Sequence, residues 1–208
     1  MLAKINISKN LKELEKKLLN KEVVVLCGGP SKESEVSLAS GNEVYQALKS
    51  EGISVIKYEF GNNLIELWNF LVNIKEKVAV FNALHGNFGE DGTLVALLET
   101  LAIPYTHSGI TTSALAMNKF LTKKVAASVG LLLAKDVLLN TSAAIELNTL
   151  AFPLVVKPNN EGSSIGVYIV NNKQELQDTI KLCKHNYQEV LLEEYLGGAE
   201  FSVRLINA

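Results

Sequence analysis

The chain has 208 residues, 48% of them hydrophobic, enough to bury one large core or two small ones. Twenty basic residues against 22 acidic ones leave a formal net charge of −2. That balance excludes the basic surface of a general nucleic-acid binder, so any anionic ligand has to be met by local charge. Only two cysteines occur, Cys27 and Cys183, with no CxxC spacing, which argues against a disulfide framework or a zinc site and fits a reducing cytoplasm.

In chain order, residues 1–20 scatter lysines through an apolar pattern and read as neither signal peptide nor membrane span. Ile7, Leu11, Leu14 and Leu18 predict an amphipathic helix, a separate N-terminal extension. From Glu22 onward, β-branched runs alternate with helical stretches: strand 22–27 ending at Gly28-Gly29-Pro30, helix 37–49, strand 53–60, helix 64–72 and strand 78–84. This is a βαβαβ unit, an α/β lobe built on a parallel sheet. A helix over 93–101 follows, then a small-residue stretch, 107–116, at which the first lobe (21–116) ends.

The second lobe (117–208) opens with a helix over 117–129 closed by Gly130, then a short strand over 135–139. Strands in FPLVVKP, VYIV, EVLLEEY and EFSVRLI, with one helix over 173–185, give an α+β arrangement. The sequence closes on an apolar strand with no turn signal. The expectation drawn from this is that a third lobe is missing, in preference to an ordinary edge strand.

Several segments carry chemistry. The Cys27-Gly28-Gly29-Pro30-Ser31 turn lies between a strand and a helix N-terminus, where an anion or carboxylate is favoured. It lacks the spacing of a dinucleotide or phosphate loop. Glu33, just after it, could hold an ammonium or merely complement the helix dipole. His85-Gly86-Asn87-Phe88-Gly89-Glu90-Asp91-Gly92 follows the third strand, where open α/β sheets bind ligands. His85 there is a candidate donor to a carboxylate or phosphate, against the plainer reading of a structural histidine. Glu90 and Asp91 read as the first turn of the next helix.

Lys157 ends an apolar strand and needs an anion or the sheet edge for its ammonium. The loop Pro158-Asn159-Asn160-Glu161-Gly162-Ser163-Ser164-Ile165-Gly166 follows directly, hydroxyl-rich and able to close over phosphates. The segment Glu189–Glu200 joins an apolar strand to clustered carboxylates. It could read an adenine edge and a ribose, or form a β-hairpin with a solvated acidic face.

Taken in order, GGPSKESEVSLASG, ALHGNFGEDGTL, PYTHSGITTSALAMNKFLTK, FPLVVKPNNEGSSIGV and EVLLEEYLGGAEFSV resemble successive signature stretches of the D-alanine:D-alanine ligases, from about Lys21 to Ala208. The resemblance implies an ATP-grasp enzyme of peptidoglycan synthesis, cytoplasmic and a homodimer through its first lobe. The first lobe would be Rossmann-like and the second the central ATP-grasp lobe. The family reaction joins two D-alanines through an acyl phosphate at the expense of ATP, with Mg²⁺.

Residue by residue, the resemblance implies that Glu33 orients the first D-alanine's ammonium while Val36 and His85 line that substrate. Lys119 and Lys157 would bind ATP phosphates, Ser163 would support Glu33 and substrate, and Ser164 would touch phosphate. Glu193, Glu194, Tyr195, Leu196 and Glu200 would hold adenine and ribose. The family's Mg²⁺ ligands are expected beyond Ala208, so the chain is expected to be inactive in ligation by itself. Two alternatives stay open: a ligase joining D-alanine to D-lactate or D-serine, and a non-catalytic remnant binding nucleotide or D-alanine.

Overall fold

The structure is a computed structural model that describes residues 21–142 and 150–201. They fall into two compact units, one of residues 21–110 with 200–201 and one of residues 111–142 with 150–199. The predicted helix in 1–20 lies outside the described residues, as does most of the predicted last strand; its Glu200 and Phe201 are in no strand.

In the first unit, β1 (Glu22–Gly28), β2 (Val55–Phe60) and β3 (Val78–Asn82) form a parallel sheet in the order β2-β1-β3. As the central strand, β1 is apolar at every position from Val23 to Cys27, because a parallel strand buries both its faces. Val24 and Leu26 pack with Leu67 and Leu71 of α2 (Leu64–Ile74) and with Leu94 and Leu98 of α3 (Thr93–Thr100). Val23, Val25 and Cys27 face Val44, Tyr45 and Leu48 of α1 (Ser34–Ser50). Each fully buried leucine contributes about 2 kcal/mol of transfer free energy to this core.

The second unit begins in α4 (Ile110–Met117), a helix where the sequence predicts only a small-residue stretch. Ile-Thr-Thr-Ser-Ala-Leu-Ala-Met has no charges and no strong apolar period, so the usual helix signal is weak. The expected helix over 117–129 starts instead at Lys119 as α5 (Lys119–Ser128), because the Asn118 side chain accepts the Leu121 N–H at 2.9 Å and caps it.

Strands β4 (Asp136–Asn140), β5 (Leu154–Pro158), β6 (Tyr168–Val170) and β7 (Glu189–Glu194) form an antiparallel sheet in the order β4-β7-β5-β6. Although β7 comes last in sequence, it lies centrally and pairs with both β4 and β5, so Glu189–Glu194 is no hairpin arm. Leu139, Leu154, Val156, Val190 and Leu192 pack on Leu176, Ile180 and Cys183 of α6 (Lys173–Lys184). By alternation, Asp136, Lys157 and Glu193 fall on the opposite face. The two cysteines are free and buried, and burial raises both thiols above their ordinary range. Among the described residues no helix is long and apolar enough to cross a membrane.

At Gly41, α1 packs closely on β1: a Cβ there would clash with the Cys27 Cβ and stand 3.0 Å from its Sγ. Gly41→Ala should therefore destabilise the first unit by about 2 kcal/mol through overpacking. Urea unfolding followed by the fluorescence of Trp68, the sole tryptophan, reads that unit; an unchanged midpoint would show that the close approach is not constrained.

Candidate functional site

In the first unit, one side chain locks helix to sheet. The Ser37 hydroxyl, fully buried, donates to the Ala83 carbonyl at 2.7 Å and accepts the Gly28 N–H at 2.8 Å. It thereby ties α1 to the segments following β1 and β3. Glu33, Val36 and Ser40 recur at i, i+3 and i+7, so they share the flank of α1 that Ser37 anchors. Ser40 Oγ donates to the Val36 carbonyl and lies 3.2 Å from His85 Nε2. Glu33, at the N-cap position, makes no side-chain cap bond.

Gly86 sits under the Glu33 carboxylate. Its φ of +66° favours glycine, and a Cβ added there would stand 3.0 Å from Glu33 Oε2 and press on that carboxylate. The structure thus brings Glu33, His85 and, through Ser40, the exposed Val36 to one place at the C-terminal end of the parallel sheet. Ser40 was missed in the sequence; its seven-residue spacing from Glu33 is the signal that could have found it.

Glu90 and Asp91 correct the expectation that they form a first helical turn, since α3 begins at Thr93 with Gly92 as its cap. Glu90 Oε2 instead accepts the Gly86 N–H at 2.8 Å, and its Oε1 stands 3.9 Å from His85 Nδ1. Asp91 accepts the N–H groups of Phe88 and Thr93, both at 2.9 Å. The two carboxylates brace the loop that carries His85.

In the second unit, the polar sheet face holds a chain of alternating charge. Asp136 Oδ1 meets Lys123 Nζ at 3.1 Å, Lys123 meets Glu193 Oε1 at 2.5 Å, and Glu193 Oε2 pairs with Lys157 Nζ. Lys123 also donates to the Ala134 carbonyl at 2.7 Å. Glu193 is only 8% exposed, so this carboxylate is not on a solvated acidic face. Burial alone would raise its carboxyl, but hydrogen bonds and charges from Lys123 and Lys157 prevail and hold it below the usual carboxylate value. Asp136 Oδ2 is buried without a hydrogen-bond partner among the described residues, a cost that its contact with Lys123 offsets.

Lys119 begins α5, and its ammonium donates to the Glu161 carbonyl in the loop after β5. Burial, then the neighbouring charge of Lys157, pulls it below the ordinary lysine value. A polyanion drawn between the two ammonium groups would relieve that repulsion. Asn159, 1% exposed, clamps the arrangement: its carbonyl accepts the Lys119 N–H at 3.1 Å, its Oδ1 accepts Phe120 N–H at 3.0 Å, and its Nδ2 reaches Glu189 Oε2 at 3.2 Å. The first amides of α5 are therefore used within the protein.

Ser163 and Ser164 are exposed and both left-handed, with φ of 48° and 58°. The loop returns at Gly166, φ 70°, where a Cβ would stand 2.9 Å from both Pro158 Cγ and the Tyr187 hydroxyl. Glu194 Oε1 accepts the Lys135 N–H at 3.0 Å, and the Tyr195 N–H donates to the Pro153 carbonyl at 3.2 Å. Tyr195, Leu196 and Glu200 are exposed. Sequence reasoning missed Lys123, Asp136 and Asn159, because their partners lie on other elements.

Among the described residues no group of three or more His, Cys, Asp or Glu is placed to hold a metal ion. These residues do not fit a resident Mg²⁺ site, and no metal-bound step is assigned to them.

Residues 125–208 match the family described as "D-ala D-ala ligase C-terminus". The chain is 42% identical over 186 residues to a "D-alanine--D-alanine ligase" of Ruegeria sp. (strain TM1040), covering 89% of this chain and 59% of that one. It is 43% identical over 191 residues to that of Jannaschia sp. (strain CCS1), covering 91% and 60%. It therefore spans about three-fifths of the length of these curated relatives. Among solved structures, it resembles the Bacillus anthracis ligase with a TM-score of 0.78 at 34% identity, covering 86% of this chain and 58% of that one. The complex of the B. anthracis ligase with ATP gives a TM-score of 0.76 at 31% identity, covering 86% and 60%.

The depressed Glu193 carboxyl has a definite pH consequence. Its stabilising contribution is complete above the ordinary value of 4.5 and is lost as pH falls through the lower folded value. Glu193→Gln should cost the second unit about 2 kcal/mol at neutral pH. In urea unfolding followed by circular dichroism, the difference from wild type should shrink as pH falls below that value; a gap constant with pH would mean that Glu193 is not held ionised by its lysines.

Proposed function

We propose that the chain is part of a ligase of the D-alanine:D-alanine ligase family, to whose members it is similar over about three-fifths of their length, and that it supplies the first-substrate site and the phosphate-binding part of that ATP-grasp enzyme. In the complete reaction, a carboxylate oxygen of one D-alanine attacks the γ-phosphorus of ATP. The bond to the ADP oxygen breaks, giving an acyl phosphate and ADP. The amine of a second D-alanine then attacks the acyl carbon, phosphate leaves, and a proton is lost from nitrogen, giving the dipeptide. Because the chain spans about three-fifths of its relatives, the share proposed for its own residues is binding and orientation.

The single observation that carries this reading is the pair of ammonium groups, Lys119 and Lys157, beside the Ser163–Ser164 loop in the second unit. Two cations whose charges disfavour one another are a receptor for a group of several negative charges, and a triphosphate has that character. The loop hydroxyls would donate to phosphate oxygens and limit water access to the acyl phosphate. Glu193 and Glu194, with Tyr195, Leu196 and Glu200, are proposed for the base and ribose. In the first unit, Glu33 would take the ammonium of the first D-alanine, with His85 and Val36 against the rest of the molecule. Mg²⁺ would supply charge neutralisation at the transferring phosphoryl group from ligands other than the described residues. A cytoplasmic location and a homodimer through the first unit belong to the same proposal.

Isothermal titration calorimetry with ATP and with D-alanine tests the assignment. Lys119→Ala and Lys157→Ala should each weaken ATP binding by about tenfold or more, and Glu33→Gln should weaken D-alanine binding while leaving ATP unaffected. Undiminished ATP affinity in both lysine variants would sink the nucleotide assignment. D-alanine-dependent ADP release, measured with the same samples and Mg²⁺, reads whether these 208 residues turn over as well as bind.

A further inference from the structure

The nucleotide reading makes Lys157 a phosphate ligand, yet the same ammonium is paired with the buried carboxylate of Glu193. For Lys157 to donate to a phosphate it has to share or leave that partner. Separating a buried ion pair is costly chiefly because one charge is left uncompensated. Here Glu193 has a second cation on its other oxygen, Lys123 at 2.5 Å. Lys123 is itself fixed, by Asp136 at 3.1 Å and by the Ala134 carbonyl at 2.7 Å. Its side chain is only 12% exposed, so it reaches little solvent, and it projects from α5 one turn after Lys119.

We propose that Lys123 is a positioning residue of the nucleotide site: it keeps Glu193 neutralised and in place, so that Lys157 can pass from that carboxylate to a phosphate. This rests on the phosphate-binding reading of Lys157 and adds to it a residue that touches no ligand. The strand register supports the assignment, since Asp136 and Val155 both flank Glu193, and Lys157 lies two residues beyond Val155 on the same face. The relay Asp136–Lys123–Glu193–Lys157 therefore runs across neighbouring strands toward the loop after β5.

A positioning role and a bare positive charge predict different couplings. Inorganic triphosphate is the probe, because it reports the phosphate site without the base. Titration calorimetry is run on the wild-type chain, Lys157→Ala, Lys123→Gln, Lys123→Arg, Glu193→Gln and the Lys123→Gln/Glu193→Gln double variant. Binding that Lys157→Ala weakens establishes the phosphate site. Lys123→Gln should then weaken triphosphate binding by about tenfold, but by less than about twofold where Glu193 is already Gln, with Lys123→Arg restoring affinity. Equal losses in both backgrounds overturn the inference while leaving the phosphate site standing. Absence of binding in both the wild type and Glu193→Gln overturns the two together. If Lys123→Gln loses its circular dichroism signal, the same cycle is run with Lys123→Met, which keeps the apolar stem in place.

Discussion

Glu193 is a carboxylate in a place that water hardly reaches, and the organisation of the second unit follows from meeting that cost. β7 is central because β4 and β5 both pair with it, and it is buried on both faces from Val190 to Glu193. Ionising a group there is tolerable only with cations at contact distance. Lys123 and Lys157 provide them from α5 and β5, so helix and strand are tied through one side chain. Both ammonium groups are thereby held at fixed places on the polar face of the sheet.

The first unit solves a related problem with neutral groups. A helix following a parallel strand has to be held against the sheet. Ser37 does the holding, with both its hydrogen-bonding functions committed inside the fold. Glu33 and Ser40, on either side of it, face the loop that bears His85. Glu90 and Asp91 spend their charge on amides of that loop, giving a segment of several glycines a defined course.

Much of the architecture was legible because it rests on local pattern. The βαβαβ order emerged from β-branched runs such as Val23–Val25 separated by helical stretches, and the second sheet from FPLVVKP and EVLLEEY. Glu33, His85 and Lys157 could be singled out because each stands beside a turn or at a strand end, where sequence position already suggests access to a ligand; Lys119 was reached only through the family resemblance. Lys123 and Asp136 could not. Their roles depend on β4 pairing with β7 in one register, and a shift by one residue would turn Asp136 to the apolar face. Asn159 likewise looks like any loop amide until three partners from other elements converge on it. Helix α4 escaped because Ala and Thr give no face to recognise.

The two consecutive serines of the loop after β5 carry a longer-term consequence. Left-handed backbone is disfavoured for any residue with a side chain, so Ser163 and Ser164 each hold a conformation that glycine would adopt more easily. Random mutation toward glycine would then relax the loop and favour the folded state. It would also strip the hydroxyls from the segment. If those hydroxyls serve the proposed phosphate site, selection for folding and selection for chemistry pull in opposite directions at the same two codons, and a lineage freed from the chemistry should drift to glycine there first.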